Sequence, residues 1–438
     1  MVDKDEASFG AISDHARGNM LRGYSTALEG WRRGLNLQIK IDHTNRMDEV
    51  VEYILADGIT THHFEGSVGD HVSKEAIAIC SDKSVLREHL QKAHIKMPDG
   101  KIFDEGATAE TIGEYIQEKS HPLAVKSTDG NLVKHIHNDE EIKEAMEYLK
   151  DKMDGHKIIV EKHLEGENSQ LYVVGEEVFH LTGQPASEDA RKLALEAVRS
   201  IPGLPQGSVL ININEGTEEC TVIDINPHAD IKKNESLSGD ALRDVPKAIM
   251  DYYFPATKDF NREMAERLYF DFDHVYTSSK RGKLGYMEIP SIPEDVRLTR
   301  FILMAERFPK SFLGWVQSTA VKSGVSGSIR KLSERRISLV LGGSREDINA
   351  FTNLLKKKCR RFKHPVKFTR KKRTTPVMQG FHIIENPSLD SKKVKSLRQE
   401  NKKLKKEISA LKKTRPDTSK NNYRKFVRRL ARVRKKGQ

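Results

Sequence analysis

Five polar residues stand out for where they sit in the chain. Lys83 follows Asp82 at the head of an apolar-periodic stretch, and Lys126 ends the short apolar run 123–126. Glu161 closes the run Lys157-Ile-Ile-Val, and Asp224 and Asn226 lie two apart just before Pro227. Lysine supplies a point charge on a flexible stem, which suits a phosphate oxygen. Carboxylate and amide oxygens are the hard donors that a magnesium ion takes. Taken singly, each has a plainer reading: an exposed cation, a solvated strand end, a turn before proline. Any shared chemistry therefore depends on elements that bring distant parts of the chain together.

Those elements follow from apolar spacing and turn residues. Residues 25–34 read as a helix ending in glycine, 35–41 as a strand, 46–56 as a helix and 58–63 as a short strand, which makes a small α/β lobe. Residues 84–93 form a helix with Val85, Leu86 and Leu90 on one side, Pro98-Asp99-Gly100 turns, and 108–119 is again amphipathic. The strand 123–126 runs into the turn Asp129-Gly130-Asn131; 157–161 is a strand; 170–179, with Gly175-Glu176-Glu177 inside it, is a hairpin. A helix over 187–200 has Ser187 as N-cap and Pro202-Gly203 as its stop, and strands 208–214 and 221–225 follow. The whole is α+β with short antiparallel strands.

In that order the segments resemble the ATP-grasp ligases, nearest in texture to cyanophycin synthetase and glutathione synthetase and related to D-alanine–D-alanine ligase. GDHVSKEAIAICSDKSVLREHLQKAHIKMPDG resembles the family's segment with an early phosphate-binding lysine, matched by Lys83. LAVKSTDGN resembles the second lysine strand, which places Lys126 near the α and β phosphates. IIVEKHLEGENSQLYVVGEEV resembles the hinge: Glu161 would accept from the adenine amino group, the backbone from Lys162 to Leu164 would read the ring edge, and Asn168 stands at the ribose position. CTVIDINPHADI resembles the last metal strand, which gives Asp224 and Asn226 as Mg²⁺ ligands. The resemblance implies ATP and Mg²⁺ as cofactors. A small-molecule carboxylate would attack the γ-phosphoryl to give an acyl phosphate, which an amine captures. It singles out no catalytic acid, base or nucleophile.

The sequence departs from the family at two places. Asp129-Gly130-Asn131 is what stands for the glycine-rich loop that covers the phosphates, and Leu210 occupies the place of the first metal carboxylate, with Asn212 two residues on and facing the same side. A degenerate, non-catalytic scaffold is thus the competing reading. Ser8 to His15 and Arg17-Gly-Asn19 read either as an acceptor-site lining or as an ordinary terminal turn. His62-His63 and His135-x-His137 read as solvated histidines rather than as a metal site.

Residues 296–385 run strand, helix, two strands, helix, strand (297–304, 312–322, 327–331, 337–341, 344–357, 379–384), the split βαβ, ferredoxin-like pattern. VKSGVSGSIRKLSERRISLVLGGSREDINAF and the closing GFHII resemble acylphosphatase. Leu313 stands at that family's catalytic arginine and Lys331 at its water-orienting asparagine, so no hydrolysis of acyl phosphates is expected. Arg307, Lys310, Arg330 and Lys331 remain as anion-holding cations. The expected division is an N-terminal α/β lobe over 1–70, an ATP-grasp domain over 71–255, a linker over 256–295, an acylphosphatase-like domain over 296–386 and a basic helical tail over 387–438.

Charge is polarised along the chain. From residue 351 onward Lys and Arg number 31 against five Asp and Glu, which leaves 44 against 58 before it, so the net charge of +12 belongs to the tail. Val394, Leu397, Asn401, Leu404, Ile408 and Leu411 fall on a and d positions of three heptads, and an asparagine at a favours a parallel homodimer over 394–411. KKKCRRFKHP, TRKKR and NNYRKFVRRLARVRKK carry enough charge for nucleic acid or another polyanion, and equally read as a solvated basic tail. Three scattered cysteines, Cys80, Cys220 and Cys359, indicate neither a disulfide framework nor zinc. With no export signal or run of ~18 apolar residues, the expectation is a cytoplasmic protein without membrane contact. The nucleic-acid reading of the tail predicts steeply salt-dependent binding; DNA or RNA binding that survives deletion of residues 386–438 rules it out.

Overall fold

The computed structural model describes residues 21–41, 51–119, 122–127, 133–138, 141, 144, 157–183, 185–214, 216–228, 241–271, 275 and 285–384. The turn at 129–131, the heptads, the basic stretch 387–438 and the polar N-terminal clusters lie outside them, whereas the basic segments 356–365 and 369–373 lie within them. The chain divides into two compact units, 1–296 with 374–379, and 297–373 with 380–438.

The first unit begins with α1 (Leu21–Arg32), whose Tyr24, Ala27, Leu28 and Trp31, spaced by three and four, are all buried. It lies on a five-stranded antiparallel sheet made of β1 (Asn36–Ile41), β2 (Glu52–Ala56), β3 (Thr61–Glu65), β4 (Val68–Gly69) and the later Gly285–Ile289. Gly30 lets helix and sheet approach, since a Cβ there would lie 2.6 Å from Leu55 Cδ1. Two expectations are corrected here. Residues 52–56, expected within a helix, are a strand, because burial alternates with Tyr53 and Leu55 inward; a short apolar run does not show its period reliably. The stretch 256–295, expected as a linker, supplies the strand that pairs with β1, Leu37 opposite Ile289.

Next come α2 (Lys74–Ser81), α3 (Lys83–Lys92), β5 (Gly100–Phe103), α4 (Ala109–Gln117), β6 (Leu123–Ser127), β7 (Val133–Ile136) and β8 (Ile158–Lys162). The four strands form one sheet in the order β5-β8-β6-β7. Its inner face buries Phe103, Leu123, Val125, Ile136, Ile158 and Val160 against Ile112 and Ile116 of α4. β9 (Glu167–Val174), β10 (Glu177–Gly183), α5 (Glu188–Arg199), β11 (Gln206–Ile213) and β12 (Cys220–Asn226) follow, with sheet order β10-β9-β11-β12. Ser187 caps α5 as the sequence indicates, accepting from Ala190 N at 3.2 Å. Ala190, Ala194, Ala197 and Val198 of α5 pack on Leu171, Val173, Val209 and Ile211, and Leu86 and Leu90 of α3 join that core. Next are α6 (Ala241–Tyr253), α7 (Arg262–Ala265), β13 (Leu268–Tyr269) and β14 (Gly285–Ile289), the strand already named.

The second unit holds β15 (Arg297–Met304), α8 (Phe312–Lys322), β16 (Ser326–Ser333), β17 (Arg336–Gly343), α9 (Arg345–Cys359) and β18 (Lys367–Lys372). The chain then gives β19 (Val377–Met378), paired parallel with β13 in the first unit's set of residues, and β20 (Phe381–Ile384). The sheet order is β18-β15-β17-β16-β20. β18 was not expected, since Lys-Phe-Thr-Arg-Lys-Lys shows no apolar alternation; it is an edge strand beside β15, where charged side chains are at home. Residues 381–384, expected to be the final strand of the pattern, are an additional one, parallel to β16.

An ion network ties the first unit's helices. Arg33, with its side chain fully buried, donates from Nε to Glu29 at 2.9 Å and from Nη1 to Asp251 of α6 at 2.7 Å, and Arg262 reaches Glu29 at 2.6 Å. Removing one member of such a set strands the others. Glu29→Ala is expected to lower stability by about 3–5 kcal/mol and Glu29→Gln by less, measured by denaturant unfolding.

Candidate functional site

The alternation of each strand decides what faces the site. In β8, Ile158 and Val160 point into the core, so Ile159 and Glu161 point away from it; in β6, Leu123 and Val125 point in, so Lys126 shares the face of Glu161. In β11, Val209, Ile211 and Ile213 are core, so Ser208, Leu210 and Asn212 lie on the opposite face, with Asn168 and Gln170 of β9 and with Asp224 and Asn226 of β12.

Helix α3 connects these two faces. Asp82 caps it, its Oδ1 accepting from Ser84 N at 2.8 Å and Val85 N at 3.3 Å, which sets Lys83 at the first helical position. Lys83 forms an ion pair with Asp224 of β12. One turn on, Arg87 donates to Glu161 Oε2 of β8 at 3.2 Å and to the Pro98 carbonyl. Lys126 of β6 reaches Glu161 Oε1 at 2.6 Å. Five charged groups from α3, β6, β8 and β12 thus make a line, and Arg87, absent from the sequence expectation, is its middle. The signal was its place four residues after Lys83, which puts both on one side of the helix.

Glu161 is only 7% exposed and both of its oxygens are engaged. The carboxylate therefore orients both Arg87 and Lys126. The hinge backbone is partly committed too: Lys162 N donates to Asp99 O at 2.7 Å and His163 N to Pro122 O at 3.0 Å. Leu164 follows directly on this anchored pair. Gly166, at φ 106°, makes the turn into β9, where a Cβ would lie 2.1 Å from Ile213 O.

Around Asp224 the oxygens are plentiful and the charges few. Asn212 Nδ2 donates to Asn168 Oδ1 at 3.1 Å, and Gln170 Nε2 donates to Ser208 Oγ at 2.9 Å. Leu210 sits in register between Asp224 on one side and Gln170 on the other, so the central place on this face is apolar. Asn226 Oδ1 accepts from His228 N at 2.9 Å, an Asx turn, which is the plain reading of Asp-x-Asn before proline. The thiol of Cys80, buried beside this pair, is pushed up to about 12 by burial and by the Asp224 carboxylate, against the opposing effect of Lys83; it stays protonated and is no nucleophile at neutral pH.

The chain's own donors fit a polyphosphate: Lys83 and Lys126 each hold a carboxylate that a phosphate oxygen can replace. They fit Mg²⁺ through one carboxylate, Asp224, with amide and hydroxyl oxygens beside it. His63 is exposed, as expected, but His62 is not a solvated histidine; it is packed against Tyr253 and Phe254.

No protein-family model matches the chain, and no curated protein matches it. Among solved structures it is similar to D-alanine–D-alanine ligase from Coxiella burnetii, at 13% identity over 43% of this chain and 61% of that one, with a TM-score of 0.35. It is also similar to a RimK-domain ATP-grasp protein from Sphaerobacter thermophilus, at 19% identity over 41% and 69% with a TM-score of 0.33. The ATP-grasp ligase PsnB complexed with its minimal precursor aligns at 14% identity over 41% and 64%, TM-score 0.34. The chain spans less than two thirds of the Coxiella enzyme's length.

Hydrogen bonds from Ser84, its hydroxyl first, hold the Asp82 carboxyl below the usual aspartate range. A lowered folded value stabilises above the unfolded value and is lost as pH falls through the folded one. Asp82→Ala should cost about 1 kcal/mol at pH 7, and the gap to the unsubstituted protein should close below about pH 4 in thermal unfolding.

Proposed function

We propose that the first unit is an ATP-grasp module that joins a small-molecule carboxylate to an amine in a peptide-like bond. The observation that carries this is the line of charges on either side of α3, which gathers both motif lysines, the hinge acid and the metal-strand aspartate into one region. Lys83 and Lys126 bind phosphate oxygens, the Leu164 backbone lies along the adenine edge, and Asn168 meets the ribose. Asp224 and Asn226 hold Mg²⁺, which when bound neutralises charge on the phosphates. The substrate carboxylate oxygen forms a bond to the γ-phosphorus as ADP leaves; the amine nitrogen then attacks the acyl carbon and phosphate departs. This chain's residues contribute positioning and charge complementarity to both steps.

The 71–255 boundaries of the module and the 296–386 boundaries of an acylphosphatase-like, ferredoxin-like domain belong to the same proposal. The strand-helix-strand-strand-helix-strand order from β15 to β18 supports the latter. Leu313 packs against that unit's core and Lys331 pairs with Glu334 at 2.6 Å, so neither supplies hydrolytic chemistry. A homodimer through 394–411 and a polyanion at the tail complete the proposed partners. Cys80 and Cys359 are buried and free, which suits a reducing cytoplasm, and no helix among the described residues is long and apolar enough to cross a membrane. Leu210 favours a second reading, a non-catalytic scaffold, because it leaves the metal one carboxylate.

Release of ADP from Mg·ATP, screened against pools of amino acids and short peptides, separates the two. The ligase reading predicts release that needs both an acid and an amine and that falls about 10²-fold or more in Lys126→Ala. No release with any pool, and unchanged behaviour in Lys126→Ala, supports the scaffold.

A further inference from the structure

The β3–β4 hairpin carries a cluster that the ligase reading does not use. His62 lies in β3; Asp70 and His71 follow β4 directly; the two strands pair through Phe64 and Gly69. One ligand atom from each of His62, Asp70 and His71 falls within 4.8 Å of the others. The cluster is held in place from several sides. Asp70 Oδ1 meets His62 Nδ1 at 2.9 Å, and Asp70 Oδ2 accepts from His63 N at 3.0 Å. His71 stacks on Tyr253 at the end of α6, ring centroids 4.6 Å apart, and His62 packs edge-on against Tyr253 and Phe254 at 5.1 Å. The Tyr253 ring fits because residue 69 is glycine, where a Cβ would lie 2.4 Å from the ring carbon Cζ.

We propose that His62, Asp70 and His71 form a binding site for a divalent transition-metal ion of the zinc class, distinct from the Mg²⁺ position at Asp224. Two imidazoles and one carboxylate are a donor set that borderline-soft metals take, and magnesium does not. The distances allow it. A point equidistant from three atoms 4.8 Å apart is about 2.8 Å from each, and zinc binds imidazole nitrogen at about 2.0–2.1 Å. Each donor need close by less than about 1 Å, within reach of side-chain rotation about χ1 and χ2. The backbone N–H of His63 orients the carboxylate, as outer partners of metal ligands do. Three protein ligands leave a further position for water or a small ligand. Bound there, the ion would lock β3 to the turn after β4.

Cobalt(II) is the probe, because a low-symmetry nitrogen–oxygen site gives it visible absorption bands. The full chain, stripped of metal by chelator dialysis, is titrated with Co²⁺ and then with Zn²⁺. Expected are bands that saturate at one Co²⁺ per chain, are bleached by Zn²⁺, and persist in Asp224→Asn. Asp70→Asn, which keeps the side chain's shape, and His71→Ala, at an exposed position, should each weaken Co²⁺ binding tenfold or more. The proposal is overturned if no bands develop, if they persist undiminished in Asp70→Asn and His71→Ala, or if Asp224→Asn alone removes them. These outcomes do not depend on ATP binding, so they are separable from the fate of the ligase reading.

Discussion

A buried carboxylate with a cation on each oxygen is the constraint on which the first unit depends. Glu161, taken out of water on β8, is tolerable only because Arg87 and Lys126 satisfy it from two sides. Arg87 comes from α3, whose start is fixed by the Asp82 cap and whose apolar side, Leu86 and Leu90, is built into the core of the other sheet. One helix therefore links β8 of one sheet to β12 of the next. Lys83, a turn before Arg87, closes the arrangement on Asp224.

The same pairing offsets repulsion among the cations along α3 and β6. Two unit charges 4 Å apart interact by about 4 kcal/mol at an effective dielectric of 20, so unpaired cations gathered at one place would oppose folding. Here Lys83 is paired with Asp224, and Lys126 shares Glu161 with Arg87. In the proposed ligase, a bound polyphosphate would take over one side of each pair, and the carboxylate released at Asp224 would become available to a metal ion. Leu210 sets the limit of that proposal: the neighbouring strand adds no second carboxylate in register with Asp224, so a metal ion there would depend on Asp224 together with neutral oxygens.

Much of this was legible before any coordinates. The strand expected over 208–214 and the hairpin expected over 170–179 correspond to β11 and to β9–β10, and serine before an amphipathic run defined the cap of α5. What stayed illegible has physical reasons. Arg87 looks like any polar helix residue until its partner 74 positions away is known. β2 hid in a short apolar run, and β18 in a run of cations that an edge strand accommodates because water reaches it. His62 read as solvated because nothing local reveals that Tyr253 and Phe254 return to cover it. The two cations on Glu161 were equally hidden, because a sequence shows the acid and not which side chains fold onto it.

The claim that Lys83 exchanges Asp224 for phosphate is tested most directly by calorimetry of ATP binding to the full chain and to Asp224→Asn, with and without Mg²⁺. The account predicts opposite signs: without Mg²⁺ the substitution strengthens ATP binding, because Lys83 no longer has a carboxylate to leave, and with Mg²⁺ the metal-dependent gain in affinity is lost. ATP binding that is absent from the unsubstituted chain, or that Asp224→Asn weakens equally in both conditions, would contradict it.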